Sequence, residues 1–161
     1  MGSLTMGYGE SAIEAASWRA LTVLRGTGED VAAALLALFR STTTAEAEQV
    51  WWSFENVVFS QDTIYGAAEE TVNVLLAALA DERPRLVRSW IIELLFFLLK
   101  GGSLEDPSLP GRCRDRARPG LWILAQEARV TSGRERELVL KVVGSIDPRF
   151  AELMRDGLTS P

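Results

Sequence analysis

The sequence holds no histidine and one cysteine, Cys113. That inventory removes Ser-His-Asp and Cys-His catalysis, intramolecular disulfides and the usual zinc sites. Any acid-base chemistry would rest on carboxylates, tyrosine or lysine. Glu69 and Glu70, with Glu55 and Asp62, offer carboxylates that such chemistry would need brought close together, although acids on helix surfaces are ordinary. Glu93 is the lone acid inside a strongly apolar helix, where burial would raise its pKa. It shares a stripe with Arg85, Ser89, Phe96 and Lys100, which places it on that helix's exposed edge. Gly26-Thr27-Gly28 lacks the spacing, and the following lysine and hydroxyl residue, of a phosphate loop. No cofactor or metal is expected.

Two further groups of residues invite partners. Arg112, Arg114, Arg116 and Arg118 lie within seven residues, and helical spacing makes Arg112 a neighbour of Arg116 and Arg114 a neighbour of Arg118. They form either a site for phosphate or an acidic partner, or a solvated face paired with Asp115, Glu105 and Asp106. Cys113 sits among them, as a thiol activated by nearby cations or as a small apolar residue on an inner face. The aromatic concentration is Trp51, Trp52, Phe54, Phe59 and Tyr65. Trp51 falls with the inward stripe, whereas Trp52 and Phe59, seven apart, fall on a flank where they would anchor a partner or pack against the next repeat. That flank adjoins the acids Glu46, Glu48, Glu55, Glu69 and Glu70. Trp52, Glu55, Asn56, Phe59, Tyr65, Glu69 and Glu70 are therefore the candidate contacts for a basic protein.

The elements that must position these residues are helical. The 161 residues predict one domain, which at this size buries roughly 70% of its unfolded surface without staples. With 47% hydrophobic and 24% charged residues the composition is globular. Apolar residues recur at helical spacing, and no alternating segment reads as a strand. After a flexible lead over residues 1–9, helices are expected over residues 10–25, from about 29 through Phe39, over 45–59 with Thr44 as N-cap, over 64–80 and over 84–100. The last of these is apolar nearly all round and should be the central buried rod. A long irregular loop over 101–111 precedes a helical pattern over 112–131, in which Pro119 either kinks the helix or opens a new one. Helices over 134–145 and from Asp147-Pro148 toward Gly157 complete an all-α domain of seven or eight helices.

The net charge of -5 is unevenly spread. Residues 1–80 carry three basic and ten acidic side chains, and residues 81–161 fourteen and twelve, so the two halves offer different electrostatic surfaces. The longest strictly apolar run, Val31 to Phe39, is nine residues, against roughly 20 for a membrane span. With no signal-like start and one free thiol, a cytoplasmic setting is expected.

The helices repeat in pairs, with centres near residues 35, 73 and 122 and near 52, 92 and 140. Spacings of about 39 to 49 residues match the roughly 40 to 47 of an α-solenoid of the HEAT or armadillo kind. The segment Trp51-Trp52-Ser53-Phe54-Glu55-Asn56-Val57-Val58, followed by Gln61-Asp62-Thr63-Ile64-Tyr65, Ala67-Ala68, Val72-Asn73-Val74-Leu75-Leu76 and Arg88 ahead of Ile91 to Leu95, resembles divergent HEAT-repeat-like proteins of actinomycetes. The resemblance covers about residues 29–100, with Asp62 where a glycine usually follows the glutamine. It implies a short curved superhelix serving as a scaffold, in some cases as an immunity protein beside a toxin. A solenoid binds through its long free surface. The leading expectation is thus a non-catalytic protein-interaction module that holds a basic partner, such as a toxin. The alternatives are a nucleic-acid module built on the arginine cluster with Arg129, Arg134 and Arg136, and a small-molecule or enzymatic domain with a pocket between repeats that uses Glu93, Tyr65 or Cys113.

Overall fold

The computed structural model describes residues 6–160, so most of the expected N-terminal lead lies outside the described residues. The described part is all-α apart from one hairpin of two-residue strands, with nine α-helices. In chain order these are α1 (Tyr8–Ala15), α2 (Gly28–Phe39), α3 (Thr44–Trp51), the hairpin strands β1 (Phe59–Ser60) and β2 (Thr63–Ile64), α4 (Ala68–Leu79), α5 (Arg85–Lys100), α6 (Leu109–Ala117), α7 (Leu121–Val130), α8 (Gly133–Ile146) and α9 (Pro148–Thr159). A 3-10 turn, Arg118–Gly120, joins α6 to α7, so these two are halves of one bent rod with Pro119 in the bend. Both sequence alternatives for Pro119 are partly realised. Its missing N–H falls in a first turn, where no partner is needed.

Local chemistry sets the helix ends. Thr27 and Asp30 form a reciprocal capping box at the start of α2, the Thr27 N–H donating to Asp30 at 2.8 Å. Thr43, one residue before the expected Thr44, caps α3 by accepting the Glu46 N–H at 3.1 Å. Asp147 caps α9, accepting the Phe150 N–H at 3.0 Å. The expected helix over 10–25 instead begins at Tyr8 and stops at Ala15. The Trp18 indole N–H donates to the Ile13 carbonyl at 2.8 Å, taking the acceptor that the next helical turn would have used.

The expected helix over 45–59 is also corrected. It ends at Trp51, tight turns follow through Phe54, and Asn56 adopts a left-handed backbone with φ of 65°. Val57, Val58 and Phe59, β-branched or aromatic, then enter an extended hairpin in which Phe59 opposes Ile64 and Ser60 opposes Thr63. Gln61, at φ of 53°, supplies the left-handed residue of the turn, and Asp62 keeps an ordinary negative φ. The chain leaving α5 seals the hairpin: the Gly102 N–H donates to the Asp62 carbonyl at 2.7 Å and the Ile64 N–H to the Gly102 carbonyl at 2.9 Å. At Gly101 a side chain would meet Ile64, which explains a glycine at this closure.

Packing centres on α5, whose Val87, Ile91, Ile92, Leu94, Leu95, Leu98 and Leu99 are buried. Full burial of each such side chain is worth about 1.5–3 kcal/mol. α4 and α5 form an antiparallel pair. α4 also meets α1 and α6, while α5 meets α3, α6 and α8; α8 packs on α7 and α9. From α4 onward, first helices of successive pairs meet one another, as do second helices. Phe54, fully buried, plugs the turn between α3 and the hairpin.

An ion network crosses this core. Glu127 on α7 is 2% exposed and accepts hydrogen bonds from Arg88 and, at 2.9 Å, from Arg85. Arg88 also donates to the carbonyls of Leu79 and Asp81 at the end of α4, each at 2.8 Å. Burial pushes the Glu127 carboxyl up, but the hydrogen bonds and charges of Arg88 and Arg85 outweigh it and hold the carboxyl below its ordinary value. A second bracket joins α1 to the α4–α5 turn: Arg83 pairs with Glu10 at 2.8 Å and Asp81 at 2.7 Å, and lies over the Phe39 ring at 4.3 Å. The hydrogen bonds of Arg83 lower the Glu10 carboxyl.

Candidate partner-binding groove

The residues singled out in the sequence separate into three places. Glu69 and Glu70 on α4 face the arginines of α6. Arg112 pairs with Glu69 at 3.2 Å and Asp106 at 2.9 Å, and donates to Ser108; Arg116 pairs with Glu70 at 3.1 Å. Arg118 pairs with Asp115 at 3.4 Å and approaches Asp147 at 4.0 Å. Two sites expected to be separate, an acidic one and a basic one, are therefore each other's counter-charges. Hydrogen bonds to Asp106 and Glu69 raise the Arg112 pKa further, and Asp106 is lowered in turn by Arg112 and Ser108. Of the four arginines, Arg114 alone has no ion pair among the described residues. Cys113 between them is buried, and burial pushes its thiol up to about 12, the setting of an inert structural cysteine.

Tyr65 lies elsewhere. It is half-buried in a cleft with Thr22, Leu24, Ser103, Glu105 and Asp106. Glu55 and Asn56 sit at the turn into the hairpin, where the Asn56 side chain accepts the Ser60 hydroxyl at 2.9 Å. Phe59 is not on a flank: at 2% exposure it belongs to the core, because β1 turns its side chain inward onto Phe97, with ring centroids 5.3 Å apart.

Trp52 remains, 62% exposed at the C-terminal end of α3, and it borders an open groove of about 380 Å³ between α3 and α5. Trp51, Trp52, Trp90 and Phe97 supply aromatic surface, and Glu48, Ser89 and Glu93 the polar groups. Trp51 holds the cluster together, with its ring 5.6 Å from Trp90, 5.5 Å edge-on to Phe97 and 5.6 Å edge-on to Phe59. Phe59, although no contact surface, backs the two rings that line the groove. Lys100 of the same chain caps the cluster, its Nζ 4.8 Å from the Phe96 centroid and 4.6 Å from that of Phe97.

Helical spacing alone puts Trp52 on a flank, to anchor a partner or pack against the next repeat, and does not reveal the opposite wall of this groove. Trp90, Glu93 and Phe97 recur at helical intervals along α5, and this spacing is the available signal. It is masked because the helix is apolar nearly all round. Neither Glu48 nor Glu93 has an ion-pair or hydrogen-bond partner among the described residues, unlike Glu69, Glu70 and Glu127. Aromatic walls with unpaired carboxylates suit non-covalent capture of a cationic group.

A second groove lies between α7 and α9, lined by Trp122, Phe150, Met154 and Leu158 together with Arg129. No described helix is long and apolar enough to cross a membrane. Comparison with protein-family models, curated proteins and solved structures finds no match to this chain.

Proposed function

We propose that this chain is a non-catalytic protein-interaction module that holds a basic protein partner in the groove between α3 and α5. The observation that carries the reading is the combination of Trp52, Trp51, Trp90 and Phe97 with the unpaired Glu48 and Glu93 on one open surface. Exposed tryptophan is the residue most enriched among interface hot spots. The acidic excess of residues 1–80, which include α3, favours a basic partner and would speed its approach. The stacking of helix pairs from α4 onward supports the α-solenoid reading, in which surface rather than a deep pocket does the binding. A toxin neutralised by being held is the specific form of this function that the resemblance to HEAT-like immunity proteins suggests, in a cytoplasmic setting.

Nucleic-acid binding through Arg112, Arg114, Arg116 and Arg118 is the weaker reading, because three of the four are occupied by carboxylates. The test is affinity capture of the tagged protein from its native lysate after nuclease treatment, comparing wild type with a W52A/E93Q variant. The expected result is a stoichiometric, basic protein retained by the wild type and lost from the variant, whose far-ultraviolet circular dichroism is unchanged. Equal retention by both, or recovery of nucleic acid alone, would overturn the proposal.

A further inference from the structure

We infer that the α3–α5 groove recognises an alkylammonium head group, the side chain of a lysine on the partner, by placing it against the tryptophan faces with the carboxylates of Glu48 and Glu93 beside it. The inference rests on the partner-binding reading and names the chemistry of the contact. Three observations carry it. First, Trp51, Trp52 and Trp90 converge on one groove, and the face of an indole is the strongest aromatic acceptor for a cation. Second, Glu48 and Glu93 border the same groove without any cationic partner among the described residues, so two carboxylates stand free beside the aromatic surface, whereas those facing α6 and α5, Glu69, Glu70 and Glu127, are taken by arginines.

Third, the ring cluster already takes an ammonium group. Lys100 Nζ lies over Phe96 and Phe97, and Phe97 is also part of the groove's lining. The indole N–H groups of Trp51 and Trp90 have no acceptor among the described residues, yet no buried side-chain donor there lacks a partner, so both N–H groups reach solvent. They add no competing positive charge, and they give a spectroscopic handle on occupancy. A purely apolar occupant would fit the rings but leave the half-buried Glu93 further desolvated beside it without compensation. A lysine satisfies both, its methylene stem against the rings and its head between carboxylates and water.

The experiment is an NMR titration of the intact protein, reading the indole N–H resonances, with a short uncharged-backbone peptide carrying one lysine. The same peptide with acetyllysine or norleucine in that position serves as the matched probe without charge. Saturable shifts confined to Trp51, Trp52 and Trp90 are expected, with affinity about ten-fold weaker for either neutral analogue. W52A and a doubly neutralised E48Q/E93Q variant should each weaken the lysine peptide while leaving the other resonances in place. Equal response to the lysine and norleucine peptides would overturn the inference in favour of apolar docking, and so would shifts that E48Q/E93Q leaves untouched. Failure of this test with W52A-sensitive capture of a partner intact would remove the lysine chemistry alone. Failure of both would remove the groove as a binding site.

Discussion

Replacing Glu127 by alanine should be among the most damaging single changes to a charged residue in this protein. The carboxylate is 2% exposed and binds Arg88, itself 16% exposed, together with Arg85 at 42%. Removing one member of a buried pair costs about 3–5 kcal/mol, because the remaining charge stays out of water without compensation. Here the lower end applies: Arg88 keeps the carbonyls of Leu79 and Asp81 as acceptors, and Arg85 can turn to solvent or to Glu135, 3.0 Å away. E127A should therefore lose about 3 kcal/mol in urea unfolding followed by circular dichroism. E127Q keeps volume and an acceptor but loses the charge, at about 1.5–2 kcal/mol. R85A, breaking the more exposed contact, should cost about 1 kcal/mol or less. The folded Glu127 pKa lies below its ordinary value, so its contribution is present above the unfolded pKa and is lost as pH falls through the folded one. E127Q should accordingly flatten the acid side of the stability profile. An E127A loss no larger than that of R85A, or an unchanged acid limb in E127Q, would refute the argument that this network braces α5, α7 and the end of α4.

Phe54→Ala should destabilise by about 3–5 kcal/mol in the same unfolding assay, since the ring is fully buried and backbone hydrogen bonds hold the turn around it against collapse. Cys113 should resist thiol reagents in native buffer and react only on unfolding, because burial holds its thiol up at about 12; rapid labelling of the native protein would contradict that placement. Gln61→Gly should leave stability unchanged or raise it by about 1 kcal/mol, whereas Gln61→Val should lower it by 1–2 kcal/mol, approximately, as φ of 53° demands; thermal melts compare the two.

The legibility of the fold follows the range of the interactions that shape it. The rod expected over 84–100 is observed over Arg85–Lys100, because its apolar residues, the preceding Pro84 and the following Gly101 all act within a few residues. The end of α3 was not legible in this way. Val50, Trp51, Phe54, Val57 and Val58 fit a helical period, but the decisive bonds come from Gly102, some 40 residues onward, which pairs with Asp62 and Ile64. The same limit governed the site. The arginines over 112–118 and two of their partners, Asp106 and Asp115, are visible locally, while Glu69 and Glu70, which pair with Arg112 and Arg116, lie 43 and 46 residues upstream. Helical spacing puts Trp52 on a flank, open to a partner or to a neighbouring repeat, because two successive tryptophans cannot both face inward; the structure leaves it 62% exposed. Its opposite wall required knowing that α3 lies against α5.

The cross-bracing between α4 and α6 has a consequence for the order in which the chain is made. Synthesis proceeds from the N-terminus, so Glu69 and Glu70 leave the ribosome well before Arg112 and Arg116, and Glu10 leaves 73 residues before Arg83. Until α6 follows, α4 carries uncompensated negative charge on the face it will later bury. The acidic excess of residues 1–80 would make such unfinished chains repel one another, and the arriving arginines replace that like-charge surface with the pairs Glu69–Arg112 and Glu70–Arg116.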